Sequence, residues 1–172
     1  MSKLRLVKDS CVNQEEDAIV NATNRYLMSG GGICDAIFER AGYDLLNEAC
    51  RKISTPLSDG EAVITSAFNI SNTKYIIHAV GPNFNITPES IDKLEDAYYN
   101  SLVVLKENKI AFPLISSGIY GGNLDNPAGV SANCCKNAYD KFISTYKDYD
   151  IDVTLCAYTE QEYENCKNFF ED

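Results

Sequence analysis

Two glycine-rich segments, Gly30-Gly31-Gly32 and Ser116-Ser117-Gly118-Ile119-Tyr120-Gly121-Gly122, each follow a short apolar run and precede a helical pattern. Glycine frees the backbone to take positive φ and to approach a ligand closely. Short apolar runs of this kind read as strands covered on both faces. Their alternation with amphipathic stretches is the pattern of a layered α/β fold.

The remaining segments extend that pattern. Strands are expected at residues 4–7, 17–21, 61–67, 74–80, 110–115 and 151–157. Helices are expected at 33–41, directly out of the first glycines, at 43–53, and from Asn126-Pro127 onward. Thr87-Pro88-Glu89 carries the marks of a helix start, a Thr cap with Pro at the first position and an acid in the first turn, and that helix is expected to run to about Lys106. A closing helix is expected at 160–170. Right-handed crossovers then give a mixed, mostly parallel sheet with helices on both faces. Ligands bind such sheets at the carboxyl ends of the strands, where both glycine segments and Tyr158 fall. No linker or repeat divides the chain, so residues 1–172 are read as one domain.

Charge limits what the ligand site can be made of. The chain carries 15 Lys and Arg against 25 Asp and Glu, a net charge of −10. The positive residues are scattered, so nucleic acid is not an expected partner. An anionic ligand must be held by something other than a cluster of lysines. Backbone N–H groups at glycine-rich turns and helix N-termini are the physical alternative. The seven cysteines are odd in number and none has Cys-x-x-Cys spacing, which points to reduced thiols and a cytoplasmic location. No segment has the roughly 18 apolar residues of a membrane span, and the N-terminus has no signal-peptide pattern. The sole histidine, His78, lies in a buried strand and cannot build a zinc site alone, so no metal and no cofactor is expected.

Gly30, Gly31 and Gly32 with the following helix form a phosphate cradle in principle, although neither a P-loop nor a dinucleotide fingerprint. Ser116 to Tyr120 form a second such loop, with the Tyr120 ring available to a sugar. Asn24, beside the first glycines, suits sugar hydroxyls because a carboxamide both donates and accepts. Asn21 is read as a cap on the strand end through local backbone bonds. Cys34, near a helix N-terminus but with no histidine base close in sequence, is read as a packed thiol.

Together these residues resemble a known family. Asp17-Ala-Ile-Val-Asn-Ala-Thr-Asn24 followed by Gly30-Gly-Gly-Ile33 is similar to the macrodomain signature, Val-Asn-Ala-Ala-Asn and then Gly-Gly-Gly-Val. Gly60-Glu-Ala-Val-Ile-Thr65, Ile76-Ile-His-Ala-Val-Gly-Pro82 and the segment from Ala111 to Gly121 resemble its later blocks, in order. The likeness runs from about Leu4 to the last helix and is nearest to MacroD-type proteins and bacterial O-acetyl-ADP-ribose deacetylases.

The resemblance implies a three-layer α/β/α fold and an ADP-ribose ligand. It assigns Asp9 and the Ser10 N–H to the adenine amino edge and Tyr158 to stacking on adenine. Gly30, Gly31, Gly32 and Ile33 fall to the first phosphate loop, with Asn21 at its approach. Ser116, Ser117, Gly118, Ile119 and Tyr120 fall to the second, with Tyr120 and Asn24 at the distal ribose. Asn24 and Asp35 are the implied catalytic residues. MacroD-type hydrolases carry Asp directly after the loop Val. Here Cys34 stands there and Asp35 one place later, about 100° further round a helix. Some bacterial members resemble this chain in having Cys.

The implied activity is hydrolysis of ADP-ribosyl esters, on modified Asp or Glu or on O-acetyl-ADP-ribose, by a monomer with no membrane partner. The alternative is a module that binds ADP-ribose without turning it over, supported by the missing aspartate at position 34.

Overall fold

The structure, a computed structural model, describes residues 1–105 and 107–170. Six strands form one sheet: β1 (Lys3–Lys8), β2 (Ala18–Thr23), β3 (Ala62–Ser66), β4 (Tyr75–Val80), β5 (Lys109–Pro113) and β6 (Asp152–Ala157). Their order is β1-β6-β5-β2-β4-β3, parallel throughout except for β3, which runs antiparallel to β4. Five helices complete it: α1 (Gly32–Ala41), α2 (Tyr43–Arg51), α3 (Ile91–Val104), α4 (Pro127–Thr145) and α5 (Glu160–Lys167). This is the expected three-layer α/β/α arrangement.

Alternation along the strands sorts the side chains into two cores. Ala18, Val20, Ile77, Ala79, Phe112 and Leu155 face α3, α4 and α5. Ile19, Ile76, Val80, Ala111 and Cys156 face α1 and α2, against Ile37, Phe38 and Leu46. With both faces covered, strand positions that are polar elsewhere must be apolar here, which accounts for the continuous apolar runs. All seven cysteines are free and buried, as the sequence suggested.

One helix start differs from expectation. Thr87 does not cap α3; its N–H and its hydroxyl both donate to the Asn83 carbonyl, at 3.0 and 3.4 Å, closing a turn back on the preceding loop. The helix begins after Ser90 instead. Its expected end at Lys106 lies outside the described residues. Helix α5 stops at Lys167, with residues 168–170 in a turn. Among the described residues no helix is long and apolar enough to cross a membrane.

Candidate functional site

Because five strands run parallel, their carboxyl ends lie along one edge of the sheet. That edge collects Asp9 after β1, Tyr158 after β6, the 116–122 segment after β5, the 24–32 segment after β2 and Gly81 after β4.

The first loop is organised by Asn24. Its Oδ1 accepts from the Tyr26 and Met28 N–H groups at 3.0 and 3.2 Å, and its Nδ2 donates to the Met28 carbonyl at 3.1 Å. These bonds fold residues 24–28 into a compact turn, with Leu27 at φ 58° and its side chain buried as an anchor. Gly31 and Gly32 follow at φ 91° and 57°, where a Cβ would be strained but would meet nothing within 4 Å. Open space therefore lies over these glycines. Helix α1 starts at Gly32, so the N–H groups of Gly31, Gly32 and Ile33 have no acceptor among the described residues. Asp35, in the first turn, accepts a short hydrogen bond from the Ser29 hydroxyl, tying helix to loop.

The second loop turns its hydroxyls inward. Ser116, at φ 58°, donates to the Pro82 carbonyl at 2.7 Å, and Ser117 donates to the Leu114 carbonyl at 3.1 Å. Gly81 packs so tightly on Ser116 that a Cβ there would overlap it. The N–H groups of Gly118, Ile119 and Tyr120 are left without an acceptor among the described residues, and the space at Gly118 is open. A buried ring of hydrogen bonds clamps the base of the loop. The Ile115 N–H donates to the Tyr98 hydroxyl (3.0 Å), which bonds Ser131 Oγ (2.6 Å), which donates back to the Ile115 carbonyl (2.6 Å).

At the β1–β6 end, the Asp9 N–H donates to the Ala157 carbonyl at 3.0 Å. The Asp9 carboxylate accepts from the Ser10 N–H, Asn13 Nδ2 and Gln14 Nε2, and the bonds from Asn13 and Ser10 hold its pKa below the usual carboxylate value. The Ser10 N–H is thus engaged by Asp9 rather than free beside it. Tyr158 is 75% exposed, with no ring packed against it among the described residues.

A polar layer lies beneath the first loop, on the α1 side of the sheet. Asn21 does not make the local capping bonds expected of it; its Nδ2 donates instead to His78 Nδ1 on β4, at 3.1 Å, with the side chain fully buried. Asn24, not Asn21, makes the local backbone bonds. His78 Nε2 meets Thr65 Oγ1 at 3.0 Å. Burial alone holds the imidazole down at about 4, so it is neutral at physiological pH. Asn21 Oδ1 and Thr23 Oγ1 are buried without a hydrogen-bond partner among the described residues. Burial pushes the Cys34 thiol up, against the opposing pull of the Gly30 N–H and the Asn21 and Thr23 side chains. The thiol is 3% exposed, which fits a packed group better than a nucleophile.

Two cavities flank the first loop. One of about 320 Å³ is bounded by Asn24, Gly81 and Tyr120, so the two loops meet at its mouth. Its other walls include Arg25, Asp59 and Asn83, which the sequence reading missed. The second, of about 460 Å³, lies between residues 26–29 and α2 and touches none of the anticipated site residues.

A profile of the Macro domain matches residues 20–130. The chain belongs to the macro domain family. An ADP-ribose glycohydrolase, MACROD2 of Xenopus laevis, is 36% identical over 94% of this chain, which spans 38% of that protein. The Oceanobacillus iheyensis macrodomain, solved with ADP, superposes with a TM-score of 0.81 at 31% identity, covering 96% of this chain and 88% of the other. A Trypanosoma brucei macrodomain in complex with ADP-ribose gives a TM-score of 0.81 at 27% identity, over 98% and 69% of the two chains. Both glycine loops of this macro domain fall within the matched segment.

Proposed function

We propose that residues 1–172 act as one macro domain that binds ADP-ribose along the carboxyl edge of the sheet and hydrolyses ADP-ribosyl esters. The observation that carries this reading is the pair of loops whose backbone N–H groups lack acceptors beside open space. In a chain of net charge −10, those groups are what can hold a diphosphate. The complexes of the O. iheyensis and T. brucei proteins support the choice of ligand.

In this reading adenine lies at Asp9, Ser10 and Tyr158. The diphosphate sits between Gly30 to Ile33 and Ser116 to Tyr120, and the distal ribose lies between Asn24 and Tyr120. Asn21 acts from below, holding the floor of the first loop through His78. Water cleaves the ester to give ADP-ribose and a carboxylic acid. Fixed backbone dipoles and orientation supply the rate. Asn24 holds both the ribose and its own turn, and Asp35 fixes the first turn of α1 through Ser29.

A second reading, binding without turnover, is favoured by one observation. Position 34 is a buried thiol, and the nearest carboxylate, Asp35, is already bonded to Ser29. The deciding experiment measures free ADP-ribose released from a protein mono-ADP-ribosylated on glutamate, with Asn24→Ala and Gly32→Val as controls. Release that falls at least tenfold in both variants supports the hydrolase. Tight ADP-ribose binding without release leaves the binding module. Unchanged release in both variants refutes the mechanism.

A further inference from the structure

We infer that the second cavity, behind the first glycine loop, is a ligand site of its own that takes a small planar aromatic monocarboxylate. This site is separate from the cleft and does not rest on the function proposed for it. The turn at residues 26–29 forms one wall and α2 forms the other. Tyr43, Asn47, Cys50 and Arg51 stand at positions i, i+4, i+7 and i+8, which a helix brings to one side. The volume of about 460 Å³ falls within the range of about 300–1,000 Å³ of small-molecule sites.

The charge on the walls selects the ligand. The chain has 25 Asp and Glu, yet among the described residues none of them lines this cavity. Arg51 is the one cation on its walls. Arg5, Arg25 and Arg40 donate to Asp152, Asp59 and Asn13, whereas Arg51 has no hydrogen-bond or ion-pair partner among the described residues. A guanidinium fork matches a carboxylate with two parallel bonds. One free cation in a chain of net charge −10 favours a single negative charge over a polyphosphate. Burial pushes the Cys50 thiol up to about 11, so the floor is uncharged at neutral pH. The rest of the lining suits a flat ring. Tyr26 and Tyr43 are exposed and offer ring faces for stacking, and the exposed Met28 adds a thioether that favours aromatic edges. Leu27, buried in the turn, and Ile53 supply apolar surface. The Asn47 carboxamide, one turn before Arg51 and without a partner of its own among the described residues, is placed to donate to the same carboxylate.

The test titrates the full chain with 2-naphthoate and with 2-naphthamide, which has the same outline and no charge, and follows the backbone amides by NMR. The naphthoate is expected to bind at least about tenfold tighter, the worth of a hydrogen bond to a charged group. Its shifts should centre on residues 26–29 and on α2. Arg51→Gln should erase the preference. Lys52→Gln, the same change of charge one residue on and off the cavity wall, should keep it. Saturation with ADP-ribose should leave the naphthoate Kd within about threefold, as for two uncoupled sites. Absent binding, or equal binding of the two compounds, overturns the inference. So does an equal loss in Arg51→Gln and Lys52→Gln, which would mean attraction by overall charge, and so does displacement by ADP-ribose, which would place the naphthoate in the cleft. Failure of the protein to bind ADP-ribose at all would refute the reading of the cleft instead, and the two charge variants would still decide this site.

Discussion

The side-chain amide of Asn21 and the imidazole of His78 face each other across adjacent parallel strands, 3.1 Å apart and wholly out of water. Since Nδ1 accepts from Asn21, Nε2 carries the ring proton and donates to Thr65, whose hydroxyl passes on to the Ser66 carbonyl at 3.1 Å. A charged imidazole has no place in this chain.

Acid should therefore act on the fold through His78. Its folded value of about 4 lies below the 6.5 of a free side chain. The unfolded chain takes up the proton first, so stability falls as pH drops from about 6.5 towards 4. Between pH 7 and pH 5 this group alone costs about 2 kcal/mol. Urea titrations at the two pH values, compared between the native protein and His78→Gln, measure it. The variant should be less stable at pH 7 but lose correspondingly less on acidification. An equal loss in both proteins would assign the acid sensitivity elsewhere.

Removing the Tyr98 hydroxyl opens the ring beneath the second loop. Tyr98→Phe leaves the Ile115 N–H buried without an acceptor, for about 1–3 kcal/mol of stability. Ser131→Ala breaks the same ring, so the double variant should cost less than the sum of the singles, by more than about 0.5 kcal/mol. Denaturation of the four proteins of this cycle tests the coupling. Strict additivity would mean that the bonds act separately.

Tyr158 should matter for the ligand and not for the fold. Its side chain is largely exposed and stacks on no ring among the described residues, so Tyr158→Ala should shift stability by less than about 0.5 kcal/mol. Loss of an aromatic platform under a base costs roughly 1–3 kcal/mol, a fivefold to 150-fold rise in the Kd for ADP-ribose. Tyr158→Phe should bind like the native protein. If Tyr158→Ala binds normally, adenine lies elsewhere.

The strands and the edge they share were legible because a sheet covered on both faces writes itself as apolar runs ending in polar or glycine residues. The Thr87 region misled for a physical reason. Cap, proline and acid are signals shared by helix starts and turns, and the Asn83 carbonyl, four residues back, captured the threonine. The local backbone bonds expected of Asn21 are made by Asn24 for a similar reason. Local bonding capacity is the same for both. Which asparagine turns inward depends on strand parity and on the partner across the sheet, His78, 57 residues away. The cavity at Arg25 was invisible because Asp59, its ion-pair partner, is 34 residues away on another loop.

The pairing of the first strand with the sixth has a consequence for how the chain comes to function. β1 is an edge strand whose sheet neighbour is β6, and Lys3 sits opposite Asp152. During synthesis the segment bearing Asp9 has no docking place until residues near 157 have left the ribosome. Both glycine loops are made before that moment, the first of them long before. The nascent protein therefore holds a half-built cleft until β6 emerges, and the adenine end closes last. Full-strength ligand capture then reports that β6 has been made and has docked beside β1.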